Sequence, residues 1–126
     1  MQLVLDRLIN ELTEQGLEVI LPAFDGEENQ LRQDQEKNLH ACDGIMIYWG
    51  SGNDLWLNSK VREVYRIWGL GRERNFDAAA IALAPPGNQR KTDFTSPWDI
   101  LDFLSGFKPE LLKSFVQQFN QNDPAA

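Results

Sequence analysis

Apolar residues at helical spacing mark the beginning of the chain. Within "MQLVLDRLINELTEQ", Leu5, Leu8, Ile9 and Leu12 recur at i, i+3, i+4 and i+7, which predicts a helix with one buried stripe that ends at Gly16. "LEVILP" follows and is typical of a strand closed by Pro22. A second helix is predicted over "NQLRQDQEKNLHAC", after the polar loop "AFDGEENQ".

The middle of the chain alternates between strand and helix patterns. "GIMIYW", residues 44–49, is almost continuously apolar, which is typical of a central parallel strand covered on both faces. The next helix is predicted from Leu55 to Gly69, and its apolar positions are Leu57, Val61, Val64, Tyr65 and Trp68. "DAAAIALAPP" predicts a strand ended by two prolines.

The last third favours one more sheet element and a closing helix. "WDILDFLSGF" is compatible with a short strand or with a helical turn. "PELLKSFVQQFN" predicts a helix that starts at Pro109 and turns Leu112, Phe115, Val116 and Phe119 inward. Residues 121–126 are predicted to be a disordered tail, so residues 1–120 would form one domain.

This order of elements implies an α/β fold with a parallel sheet between helices. A doubly wound sheet normally opens with a strand, whereas this chain opens with a helix. The fold is therefore expected to lack its first strand, unless the sequence is a fragment whose upstream residues supply that strand.

Composition narrows the classes of function. The chain has 126 residues, a net charge of −7 and no long basic run, which argues against a nucleic-acid partner. A single cysteine, Cys42, excludes an intrachain disulfide and fits a reducing compartment. No apolar run has the length of a membrane span, and the start is unlike a secretory signal, so we expect a cytoplasmic protein.

The loop "WGSGNDLW" is the first candidate binding site, because ligands of open parallel sheets collect at the carboxyl ends of the strands. Gly50 and Gly52 would let a phosphate approach the backbone, with Ser51 and Asn53 beside them. However, the loop lacks the lysine of a P-loop and the third glycine of a dinucleotide-binding loop. The simpler interpretation is that Asn53 or Asp54 caps the next helix.

The other polar residues that could take part in catalysis or metal binding are three acids, one histidine and one cysteine. Asp25, Glu27 and Glu28 are acidic, but no second acidic cluster or histidine joins them, so solvation explains them and no metal site is predicted. His40 is expected to be exposed, and Cys42 to be a small buried apolar residue.

The stretch from Cys42 to Trp56, "CDGIMIYWGSGNDLW", resembles the core of Toll/interleukin-1 receptor (TIR) domains. The similarity is to the divergent bacterial branch associated with NTPase-type defence and signalling proteins, and it covers about residues 17–120. It implies a flavodoxin-like three-layer sandwich with strand order 2-1-3-4-5, here without the first strand. It also implies that Asp25, Gly26, Glu27 and Glu28 belong to the loop used for self-association.

The resemblance further implies where catalysis would occur. Catalytic TIR domains cleave nicotinamide adenine dinucleotide (NAD) with a glutamate four residues after a tryptophan, and Lys60 stands four residues after Trp56 in this chain. A cation there opposes the positive charge that develops on the ribose. Glu63 is the alternative carboxylate, although an ion pair with Lys60 explains it equally well.

We therefore expect a non-catalytic TIR-like interaction and signalling module without a cofactor, whose partner is another copy, another TIR-like domain or an effector domain. The alternatives are an NAD-cleaving enzyme that uses Glu63, and a nucleotide-binding sensor that uses the loop together with Trp56 and Lys60. A phosphoacceptor receiver domain ranks last, because Trp49 and Gly50 stand where the acceptor aspartate is needed.

Overall fold

A computed structural model describes residues 3–20 and 27–121. Its elements are helix α1 (Leu3–Glu14), helix α2 (Glu28–Ala41), strand β1 (Gly44–Trp49), helix α3 (Asp54–Gly69), strand β2 (Ala78–Leu83), helix α4 (Gln89–Thr92), strand β3 (Asp99–Asp102), a 3-10 turn (Pro109–Leu112) and helix α5 (Lys113–Gln121). The α/β class is confirmed. The segment "WDILDFLSGF", for which the sequence allowed either a strand or a helical turn, contains strand β3.

The three strands form one parallel sheet in the order β1-β2-β3. Gly44 lies opposite Ala78, and Trp49 lies opposite Leu83. The prediction that Gly44–Trp49 is a strand with a parallel neighbour is confirmed, but its central position is wrong. Strand β2 is central, since no strand of the described ranges pairs with the other side of β1.

Helices cover both faces of the sheet, and side chains alternate between the two faces as strand geometry requires. Met46 and Tyr48 point toward α1 and α5, whereas Ile47 and Trp49 point toward α2 and α3. The first face is completed by a buried set: Leu8, Leu12, Ala78, Ala80, Ala82, Leu101, Phe103, Leu112, Phe115 and Val116. The second is completed by another: Leu39, Leu57, Val64, Ile67, Ile81 and Leu83. This three-layer arrangement is consistent with a flavodoxin-like α/β fold.

The segment after α1 departs from the prediction. Gly16 ends the helix with φ 92°, and hydrogen bonds from Leu17 N to Leu12 O and from Gly16 N to Thr13 O form a Schellman cap. Residues 17–20 are not a strand, although Leu17 and Val19 pack on the α1/α5 face. Their alternating apolar pattern therefore serves packing without a strand ladder.

Helix α3 buries a slightly different stripe from the predicted one. Ile67 is fully buried and was missed, whereas Tyr65 is 46% exposed. Leu57 and Val64 are buried as predicted. Gly71, with φ 113°, ends the helix as expected from the Gly-Leu-Gly sequence.

Two arginines from the connection after α3 hold the end of α2. Arg72 is 4% exposed, and its Nη1 donates to the carbonyls of Leu39, His40 and Cys42 at 2.9, 3.0 and 2.9 Å. Arg74 donates to the carbonyl of Cys42 and, at 2.8 Å, to the Asp43 carboxylate. Cationic donors satisfy the unpaired carbonyls of a helix end and oppose its partial negative charge.

Some predictions lie outside the described residues. Asp25 and Gly26 of the expected self-association loop are among them, as is the expected tail from residue 122 onward. Gln121, assigned to that tail, is instead the last residue of α5.

Candidate functional site

The loop at residues 50–53 lies at the carboxyl end of β1, next to the residues that follow β2. Ala84 N donates to Trp49 O at 2.9 Å, so the two strand ends remain paired where the loop begins. In parallel sheets this edge is where ligands bind. The structure thus places Gly50, Ser51, Gly52 and Asn53 where a binding loop was predicted.

A buried ammonium occupies the space beneath this loop. Lys91 is 1% exposed, and its Nζ donates to Gly50 O at 2.5 Å, Ala84 O at 2.7 Å and Pro86 O at 2.7 Å. An ammonium has three donors, and all three are used. Burial lowers the pKa of this ammonium, because removing the charge from water is unfavourable. The three hydrogen bonds to carbonyls offset this cost. Lys91 therefore joins the ends of β1 and β2.

The two glycines of the loop accommodate aromatic rings. A Cβ on Gly52 would lie 3.0 Å from the Trp56 ring, and one on Gly50 would lie 3.1 Å from the Tyr48 ring. The Gly52 carbonyl accepts a 2.6 Å hydrogen bond from the Trp49 indole. Carbonyls directed at protein donors are the reverse of a phosphate cradle, which directs N–H groups at its ligand.

The remaining loop residues start α3. Asn53 Oδ1 accepts from Trp56 N at 2.8 Å, which confirms Asn53 as the N-cap. Asp54 follows at the first helical position and forms an ion pair with Arg90 of α4 at 2.7 Å.

The residues expected to mark catalysis lie on the surface of α3. Trp56 is 38% exposed, and its ring packs on Gly52. Lys60 Nζ lies 3.5 Å from Glu63 Oε2, and both side chains are about 40% exposed. The ion pair predicted between them is confirmed, so Glu63 is engaged with a cation on an open surface.

The other polar candidates are not brought together. Glu27 is exposed at the N-cap of α2, and Glu28 is the first helical residue. His40 is exposed, as predicted. Cys42 is half-buried, and burial raises the pKa of its thiol. Among residues 3–20 and 27–121, no group of histidine, cysteine and carboxylate side chains is arranged to hold a metal ion.

The outer side of β1 is an open sheet edge in the described part of the chain. The carbonyls of Asp43 and Trp49 accept from Asp77 N and Ala84 N, on the β2 side. Because successive residues of a strand direct their backbone groups to alternate sides, Met46 and Tyr48 direct theirs away from β2. The strand contains no charged residue and no proline.

The opposite edge of the sheet is protected. Strand β3 has only four residues, and an aspartate stands at each end, Asp99 and Asp102. Short length and charge are the usual devices that prevent edge pairing. Within the described residues the two edges of this sheet are therefore unequal, and β1 is the one open to another strand.

Two surface grooves lie away from the loop. One of about 450 Å³ runs between β3 and α5 and includes Asp99, Glu110 and Lys113. Another of about 380 Å³ lies between α1 and α5 and includes Glu11 and Val116. Neither touches the residues predicted to bind a nucleotide.

Comparison with known proteins finds no matching family model, no matching curated protein and no matching solved structure. Within the described residues, no helix has the length and apolar character required to cross a bilayer.

Proposed function

We propose that this chain is a TIR-like protein–protein interaction module of a bacterial defence or signalling system, that it associates with a second copy through strand β1, and that it is not catalytic. The observation that carries the proposal is the unprotected edge of β1. Within the described residues, this strand of six residues without charge or proline has no strand partner on its outer side, and natural proteins normally protect such an edge.

A second copy suits this edge by symmetry. Two β1 strands related by a twofold axis pair antiparallel, so each copy uses the same surface and the contact closes. Such pairing joins two three-stranded sheets into one and satisfies the outward groups of Met46 and Tyr48.

The absence of catalysis is supported at the loop and at α3. The Gly50 and Gly52 carbonyls face Lys91 and Trp49, so the loop offers acceptors where a nucleotide phosphate needs donors. Lys60 stands four residues after Trp56 and holds the nearest candidate carboxylate, Glu63, in an ion pair.

The test of association uses Tyr48→Lys. The Tyr48 side chain lies near Asp6, whose carboxylate contributes with burial to raising the pKa of the phenol, so a lysine there gains an anionic neighbour. The added charge should prevent edge pairing. We expect the wild-type mass, measured by sedimentation across a concentration series, to rise from monomer to dimer, and Tyr48→Lys to remain monomeric.

Gln117→Lys is the matched control, because it adds the same charge on an exposed position of α5. It should dimerise like the wild type. A wild-type chain that stays monomeric at every concentration, or a folded Tyr48→Lys that still dimerises, would contradict association through β1.

A separate measurement tests the absence of catalysis. Incubation with NAD should release no nicotinamide above a protein-free blank. Multiple turnover that is abolished by Glu63→Ala would replace this proposal with an NAD-cleaving enzyme.

A further inference from the structure

The outward surface of α3, here called the α3 outer face, carries cations and apolar groups together. It consists of Leu55, Arg62, Tyr65, Arg66 and Leu70. Leu55 is 70% exposed, Tyr65 46% and Leu70 48%. At 100° per residue, Arg62 and Arg66 each fall within about 20° of Leu55 around the helix axis. The two arginines thus stand one turn apart on a single line.

The charges of this face are unlike those of the whole chain. The net charge of the protein is −7, yet this face carries two arginines, and the two acids of α3 that border it, Asp54 and Glu63, are already paired with Arg90 and Lys60. Within the described ranges neither arginine forms an ion pair, whereas Lys60, Arg74 and Arg90 all do. Two cations are therefore left available to a partner.

The aromatic part of the face is held in place before any partner binds. The Tyr65 hydroxyl accepts from the Trp98 indole at 3.1 Å, and the Tyr65 ring centroid lies 5.8 Å from those of Trp68 and Trp98. Trp68 packs in turn on Phe76 at 5.3 Å. Tyrosine is enriched among the residues that dominate binding energy, and a tyrosine held in this way loses little conformational entropy when a partner covers it.

No described helix covers this face. The connection from β2 to β3 contains only the four-residue helix α4, so in the described ranges no full helix packs beside α3 on that flank. Tyr65 and Trp98 meet there at the surface instead.

We propose that the α3 outer face is a docking site for an acidic amphipathic helix of another protein. Carboxylates one turn apart on that helix would pair with Arg62 and Arg66, and its apolar residues would cover Leu55, Tyr65 and Leu70. Charge complementarity selects this occupant: neither arginine is held in an ion pair within the described residues, and the apolar groups on either side of them require an apolar partner surface. The site is separate from the edge of β1.

The test uses two fluorescein-labelled helical peptides with the same leucine positions. One carries glutamates at i and i+4, and the other carries lysines at those positions. We expect fluorescence anisotropy to show binding of the glutamate peptide at least tenfold tighter than of the lysine peptide, with a difference that shrinks at high salt.

Charge reversal identifies the surface. Arg62→Glu with Arg66→Glu should weaken binding of the glutamate peptide at least tenfold and strengthen binding of the lysine peptide. The matched control, Arg32→Glu with Lys37→Glu, makes the same change in net charge at exposed positions of α2 and should leave both affinities unchanged. Tyr65→Ala should weaken both peptides.

Each other outcome overturns the proposal. Equal affinity for the two peptides, or an equal loss of affinity in the α2 control, would show that the α3 outer face is not a specific binding site. Loss of self-association in the Arg62/Arg66 variant without peptide binding makes a second copy the occupant, and binding of an oligonucleotide or anionic vesicle without peptide binding changes the partner class. Tyr48→Lys should leave peptide affinity intact, so failure here and failure of association through β1 are read separately.

Discussion

The buried ammonium of Lys91 holds the ends of β1 and β2 together. In "NQRKTD" it is one charged residue among polar neighbours, and no periodicity distinguishes it from Arg90. In the fold Lys91 is buried on three carbonyls, while Arg90 is largely exposed. The sequence could not predict this, because the carbonyls come from segments that meet only in three dimensions.

Replacing Lys91 should therefore be costly. Lys91→Met keeps much of the length and loses the charge, leaving three carbonyls without their donor, so we expect the free energy of unfolding to fall by about 3 kcal/mol. Arg90→Met is the matched control and should cost less than about 1 kcal/mol, since it removes only an exposed ion pair. Urea denaturation followed by circular dichroism measures both. Equal losses would show that Lys91 is not the joint between β1 and β2.

The Cys42 thiol should react slowly while the chain is folded. Burial raises its pKa above the ordinary value of 9.0 and outweighs the opposing charge of Arg72, so at pH 8 the folded chain holds less reactive thiolate than a free cysteine. We expect labelling with a disulfide reagent to be several-fold slower than in urea, and the pH midpoint of the labelling rate to lie higher in the folded chain than in urea. Identical rates in the two states would contradict a half-buried thiol.

At the scale of elements, the hydrophobic pattern of the sequence predicts that a strand or helix forms better than it predicts which elements lie next to it. Strands 44–49 and 78–83 follow from uninterrupted apolar runs, and the ends of α1 and α3 follow from Gly16 and Gly71. The position of β1 at an edge did not follow, because a strand's own residues do not state what pairs beside it. The same limit explains residues 17–20, whose alternation anchors them to a helical face without a ladder.

The loop before α3 should behave as a helix start. Asn53→Ala removes the side-chain acceptor for Trp56 N, and we expect a loss of about 1 kcal/mol in unfolding free energy. Asn58→Ala, at an exposed position inside the same helix, is the control and should be nearly neutral or slightly stabilising. Thermal melts of the two variants give the comparison. A neutral Asn53→Ala would mean that the cap is dispensable.

At the scale of the whole molecule, the unequal sheet edges link stability to concentration. If two copies pair through β1, the dimer is favoured by mass action and the folded state gains stability with protein concentration. We expect the wild-type Tm to rise across a concentration series, and the Tm of Tyr48→Lys to stay constant. A cooperative wild-type melt with a concentration-independent midpoint would contradict this linkage.

The contact between Gly44 and Phe119 bears on how the chain folds as it is synthesised. A Cβ on Gly44 would collide with the Phe119 ring, so α5, the last described helix, covers the first residue of β1. A ribosome releases β1 long before α5, and contacts so distant in sequence form late. Until α5 emerges, the part of this sheet face that α5 covers and the outer edge of β1 are exposed together, although α1 already covers the rest of the face. The nascent chain is therefore most prone to premature pairing with its neighbours on the same messenger RNA at that stage.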